Sequence, residues 1–223
     1  MHAALQQQDV RCGRRQVARL MRQYGLAGRH RRRRARTTIG DPRATNRPDL
    51  IERDFGPDPY ALDRRWCGDI TYLATQEGRL YLATVIDIAS RKVVGWATAD
   101  HLRTPLVPDA LTQACRNRRP APGLIFHADH GCQYTSHAFA QITAAHGIRL
   151  SADRTGVCWD NALAESYFAT LKRELDTDHT IWASRAATRS AIFEFIEGWY
   201  NTHRLHTNLS YRSPTEYETH HAA

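Results

Sequence analysis

Three carboxylates in the sequence stand where an acid needs a reason: Asp69, Asp129 and Glu165. Asp69 sits in the middle of Trp66-Cys67-Gly68-Asp69-Ile70-Thr71-Tyr72-Leu73, a run of β-formers in which an aspartate fits poorly. Asp129 follows the apolar run Leu124-Ile125-Phe126, within His127-Ala128-Asp129-His130-Gly131. That is the carboxyl end of a strand, where open α/β sheets place their ligands. Glu165 falls on a helix predicted over about 160–175. Hard divalent cations such as Mg²⁺ take oxygen ligands, so converging carboxylates can hold two ions roughly 4 Å apart. Such a pair activates an attacking water or 3′-hydroxyl and stabilises the leaving oxygen of a phosphodiester. Without cations the carboxylates would repel each other and any polyanion, and bound metal reverses that field. Each acid alone reads as an ordinary strand-end, cap or surface charge. Together, on strand, strand end and helix, they point to a metal site.

Helical geometry sharpens the case for Glu165. At about 100° per residue, Ala164, Phe168, Leu171 and Leu175 form one stripe that should face a sheet, and Glu165 lies at its edge. Lys172, seven residues on, falls on nearly the same line and is placed to bind phosphate. The elements around these residues are legible. Leu80–Ile88 and Val93–Thr98 read as further strands, and short links make the first three strands an antiparallel meander. A helix over about 106–117 takes Pro105 and Pro108 in its first turn. Strand 124–128, helix 136–146, strand 148–151 and helix 160–175 follow. A last helix, about 184–201, carries Ile192, Phe195, Ile196 and Trp199 on one face. The order βββαβαβα predicts an α/β fold: a mixed five-stranded sheet with helices on both faces.

Other residues invite competing readings. Asp87 and Asp100 also lie near strand ends, and Asp87 reads as a structural group within the sheet. Asp160 reads as a helix N-cap. The cysteines (Cys12, Cys67, Cys115, Cys132, Cys158) are odd in number and never spaced C-x-x-C, which argues against a disulfide framework or zinc knuckle. His203-x-x-His206 has metal-like spacing but no Cys or carboxylate beside it, so it reads as a surface or DNA-facing pair. No run of eighteen apolar residues occurs, and the first residues lack the order of a secretory leader. A cytoplasmic protein is the expectation.

Charge is unevenly spread. The net charge is +8, yet residues 1–47 hold 13 of the 31 basic groups and only two acids, while the remainder is slightly acidic. A cationic arm attracts a polyanion by releasing its condensed counterions, which makes nucleic acid the leading partner. Arg31, Arg32, Arg33 and Arg34 concentrate that charge, and the guanidinium fork suits phosphate. Upstream, residues 4–8 and 14–24 read as two short helices, the second ended by Gly25, in the manner of a helix-turn-helix.

At the level of motifs, WCGDITYLAT, LATVIDIASRKVVGW, HADHGCQYTS, WDNALAESYFATLKREL and YNTHRLHTNLSYRSPTEY resemble, in order, the second-reading-frame transposases of bacterial insertion sequences, in the retroviral-integrase superfamily. The 35 residues between Asp129 and Glu165 match that family's DD(35)E spacing. The resemblance implies a ribonuclease H-like core that cleaves and joins DNA with Mg²⁺ or Mn²⁺, two ions being expected. It makes Asp69, Asp129 and Glu165 the catalytic, metal-binding triad and puts Lys172 near DNA. It implies the domains 1–28 (part of a helix-turn-helix-like DNA-binding segment), 29–58 (basic linker), 59–217 (integrase-type core with a carboxy-terminal helix) and 218–223 (tail). The expected partners are DNA, both element ends and target, further copies of this chain and an upstream-frame product, at the bacterial nucleoid. The chain is expected to begin inside the family's amino-terminal region. Two alternatives stand beside this: a truncated, inactive remnant that only binds DNA, and a ribonuclease H-like nuclease that hydrolyses without joining.

Overall fold

The computed structural model describes residues 1–28, 48–52, 54–102, 105–128, 134, 136–152, 162–177 and 179–221. The chain divides into two units, Met1–Thr38 and Ile39–Ala223. In the first, α1 (His2–Gln7) and α2 (Arg14–Gln23) are the two predicted helices. His2 Nε2 donates to the Cys12 carbonyl at 3.1 Å and ties the turn between them. Gly25, at φ +64°, ends α2 in the left-handed region that a side chain would disfavour. Of the apolar stripe on α2 only Val17 is buried.

The second unit is built on a five-stranded sheet of order β3-β2-β1-β4-β5. Strands β1 (Arg65–Thr75), β2 (Gly78–Asp87) and β3 (Val93–Ala99) form the antiparallel meander. Strands β4 (Ile125–Ala128) and β5 (Arg149–Ala152) then add in parallel beside β1. Parallel neighbours need crossovers, which α3 (Leu106–Arg118) and α4 (His137–Ala145) supply. Side chains alternate along each strand, so the sheet feeds two cores. Trp66, Val85 and Phe126 pack with Leu111 and Ala114 of α3 and Phe139 of α4. Cys67, Leu73, Leu82 and Ile86 pack on the opposite face, under α5 (Ala162–Glu174) and α6 (Arg185–Phe193). Gly95 shows how closely α3 lies on β3. A Cβ there would sit 2.4 Å from the Ala110 carbonyl oxygen, so no larger residue fits without moving the helix.

Two features depart from expectation. Beyond Phe193 the last helix widens into a π-helical stretch, Glu194–Tyr200, with bonds such as Asn201 N–H to the Ile196 carbonyl at 3.0 Å. The wider turn shifts the buried register. Ile192, Phe195 and Ile196 are buried as predicted, but Trp199 is 38% exposed and Tyr200 takes the inward place. The second feature is α7 (Pro214–His221), where the sequence predicts no helix and assigns 218–223 to a tail. Eight residues offer too little periodicity to read, yet Glu218 is tied to the core by Arg118 Nη1 and Lys92 Nζ, each at 2.9 Å.

Candidate active site

Strand parity puts Asp69 on the face of the sheet that α5 covers. Cys67 and Leu73, of the same parity, pack with Ala164, Tyr167, Phe168 and Leu171, whereas Trp66 and Ile70 pack on the other side. Helix α5 lies directly against β1. The Asp69 carboxylate is half-buried, and its Oδ1 accepts the Ile70 amide at 2.7 Å. Across the ladder on β2 its partner is Thr84, whose hydroxyl is buried with no hydrogen-bond partner among the described residues. Paired residues on one face have Cβ atoms about 5 Å apart. A buried, unsatisfied hydroxyl therefore stands beside Asp69, a feature that residue type alone did not reveal.

Helix α5 supplies the second carboxylate. Ala164, Phe168 and Leu171 are buried as the stripe predicts, and Tyr167 and Thr170 join them. Glu165, in the first turn, remains exposed and makes no hydrogen bond or ion pair among the described residues. Two turns on, Lys172 Nζ lies 5.5 Å from the centre of the Tyr72 ring, with the Arg79 guanidinium 4.5 Å from the same ring. This half-exposed tyrosine thus gathers two cations by attraction to its electron-rich face.

Asp129 lies outside the described residues, as do Arg31, Arg32, Arg33, Arg34 and Asp160. The strand leading to Asp129 is well anchored. His127 is fully buried, its Nδ1 2.9 Å from Ser151 Oγ on β5, and Ser151 Oγ accepts the Leu50 amide at 2.9 Å. Phe55 packs edge-on against the His127 ring. Among the described residues no three His, Cys, Asp or Glu side chains cluster as a metal site. The donors that are described, Asp69, Glu165 and the Thr84 hydroxyl, are all oxygen. That set fits Mg²⁺ or Mn²⁺ better than the nitrogen- and sulfur-preferring Zn²⁺.

The competing acids have structural occupations. Asp87 is fully buried and accepts the Ser90 amide at 2.7 Å, the Ser90 hydroxyl at 3.0 Å and the Asp63 amide at 2.8 Å. Burial pushes its carboxyl up to about 6 against the lowering effect of those bonds. Asp63 in turn receives Arg118 Nε at 2.9 Å. Burial would raise Glu218, but Arg118 and Lys92 hold it below the usual range. Asp100 is exposed beside Arg185. The histidine pair does not converge on a metal. His203 Nδ1 donates to the Gly198 carbonyl at 3.0 Å, while His206 is half-buried 3.2 Å from Arg204 Nη1. His203 is exposed and His206 half-buried, lining a cleft beside Arg204.

Comparison with known proteins follows the same division of the chain. An integrase core domain family matches residues 59–158, a second integrase core domain family matches 146–214, and an HTH-like domain matches 1–34. The transposase for insertion sequence element IS904 from Lactococcus lactis is 44% identical over 173 residues, covering 78% of this chain and 67% of that protein. The uncharacterized 31 kDa protein of insertion element IS600 from Shigella sonnei is 35% identical over 217 residues, 97% of this chain and 79% of its own. Among solved structures, the HTLV-2 integrase catalytic core domain in complex with magnesium superposes with a TM-score of 0.51 at 18% identity, covering 70% of this chain and 97% of that one. The last likeness shows a ribonuclease H-like fold, in agreement with the βββαβαβα order. With sequence relatives extending over most of its length, the chain belongs to the insertion-sequence transposases of the integrase core family, DDE-type polynucleotidyl transferases that act in DNA transposition.

Proposed function

We propose that Asp69, Asp129 and Glu165 form the metal-binding catalytic triad of this transposase, holding Mg²⁺ or Mn²⁺, two ions in the working site. The observation that carries the reading is the placement of Asp69 under α5, next to a buried hydroxyl, with Glu165 on that same helix, the hydroxyl and Glu165 both without a partner among the described residues. The register between β1 and β4 supports the third member. Cys67 pairs with His127 at the end of the parallel β1–β4 ladder, and in the sequence Asp129 follows His127 by two residues, as Asp69 follows Cys67. Bound metal would activate the attacking hydroxyl and stabilise the leaving oxygen.

The chain's own groups hold and orient. Asp69 is fixed by the Ile70 amide, Thr84 offers a hydroxyl beside it, and Glu165 comes in on a helix locked by its buried stripe. Lys172, on the line of Glu165, would steady a phosphate of the DNA strand, and Arg31 to Arg34 would bind the DNA backbone. In the first step a water oxygen bonds to phosphorus and the P–O3′ bond breaks, leaving a 3′-hydroxyl. In the second, that hydroxyl attacks a target phosphodiester in line and displaces its 3′-oxygen. Joining both ends of an element calls for more than one copy of the chain on DNA, with an upstream-frame product as a further partner. The work is expected in the bacterial cytoplasm, at the nucleoid.

The test is a cleavage-and-joining assay on labelled duplexes carrying the element's ends, with Mg²⁺, Mn²⁺ or chelator. Metal-dependent nicks and joined products are expected from the native chain and neither from Asp69→Asn or Asp129→Asn, both of which still bind DNA. Retained Mg²⁺-dependent cleavage in either variant would falsify the assignment.

A further inference from the structure

A cleft of about 270 Å³ opens between α5 and the chain beyond Tyr200. Arg91, Ser166, Thr170, Arg204, His206 and Asn208 furnish its polar lining, and among the described residues no carboxylate lines it. Arg91 and Arg204 are both half-buried, and neither forms an ion pair with a carboxylate among the described residues. Each is nonetheless held in place. Arg91 Nη2 donates to the Phe55 carbonyl, and Arg204 lies over the Tyr200 ring, 5.6 Å from its centre. Burial lowers the Arg91 pKa even though Asp87 acts on it from a distance. A guanidinium withdrawn from water without a carboxylate in contact is costly, and two facing one cleft repel each other as well. An anion between them relieves both costs.

We infer that this cleft is a phosphate-binding site that grips the DNA backbone on the flank of α5 away from Glu165. Three further observations support it. The guanidinium fork matches two phosphate oxygens at once, and Ser166 and Asn208 add neutral donors at the rim. Burial, reinforced by Arg204 and Arg91, pushes His206 down to about 3, so the imidazole stays neutral in a field set by the two arginines. The volume suits a phosphodiester group, since pockets for whole drug-sized ligands span about 300–1,000 Å³.

Helical geometry separates the cleft from the reacting centre. Ala162, Ser166 and Thr170 recur at i, i+4 and i+8 and line the cleft, whereas Glu165 and Lys172 share the opposite flank. A helix with its side chains is roughly 10 Å across. A phosphate seated here is an anchoring one and not the scissile one. The inference rests on the proposed function only in taking DNA as the polyanion, and its test does not need catalysis.

The experiment measures binding of the full chain to a labelled duplex of arbitrary sequence across a range of NaCl, without divalent metal. Arg204→Gln is expected to weaken binding several-fold at low salt and reduce the slope of log K against log salt by about 1, the value for one lost phosphate contact. Arg204→Lys restores the slope. Asn208→Asp, an exposed change that places an acid at the rim, should lower affinity in the same direction with melting unchanged. Native slopes and affinities in folded Arg204→Gln and Asn208→Asp would overturn the site. Failure of the catalytic reading looks different: cleavage retained by Asp69→Asn, with these salt slopes unaffected.

Discussion

Asp87 closes β2 and Asp69 sits mid-way along the neighbouring β1, yet their surroundings differ in kind. Asp87 is fully buried, and three donors engage its two oxygens. The adjoining Asp63, Arg118, Lys92 and Glu218 complete a network in which acids and cations offset each other. Around Asp69 the groups are of another kind. The carboxylate is half-buried, the Thr84 hydroxyl beside it lacks a partner among the described residues, and Glu165 on α5 is exposed and unengaged. Asp87, with three protein donors on it, has little left to offer a metal, which sets it apart from the acids proposed above to hold one.

Exchanging single groups at the two places should therefore produce opposite phenotypes. The largest expected effect is on chemistry. Glu165→Gln should slow metal-dependent strand transfer by roughly a thousandfold or more, several kcal/mol of lost transition-state stabilisation. Its urea-unfolding midpoint should stay within error of the native chain, as expected for an exposed residue. A variant that instead melts early and keeps its turnover would erase the distinction.

Glu218→Ala should do the reverse. It strips Arg118 and Lys92 of their shared partner, whose side chain is 12% exposed, and should cost about 3–4 kcal/mol of unfolding free energy. Strand transfer per folded molecule should hold below the melting range. A loss under about 1 kcal/mol would mean that the network behaves like an exposed salt bridge.

The smallest effect is a pH dependence. Asp87 has its folded pKa raised from 3.8 to about 6, so the folded state binds this proton more tightly than the unfolded chain. Its contribution is fully present below about pH 4 and is lost as pH rises through 6, a change of about 2–3 kcal/mol. Glu218, held below its usual range, carries the opposite sign: its contribution is present above the unfolded value and lost as pH falls. The stability advantage of the native chain over Asp87→Asn, read by urea unfolding, should thus shrink between pH 4 and pH 7. A constant difference would show that the proton is not held as burial requires.

Much of this protein is legible in sequence because local patterns report local physics. The β-rich runs, the order of elements and the stripe on α5 are periodicities that a strand or helix imposes on its own residues, and each reappears in the structure. The spacing of Asp69, Asp129 and Glu165, with the motifs around them, was sufficient to place the chain in its family. Tertiary structure decided what depends on residues far apart in the chain. Thr84 stands beside Asp69 only through the β1–β2 register, and Arg118 meets Glu218 only because α7 docks a hundred residues later. The π-helical turn exchanged Trp199 for Tyr200 in the core, and Arg91, Ser166 and Arg204 came to share one cleft. Periodicity records which way a side chain faces on its own element, whereas packing determines what it meets there.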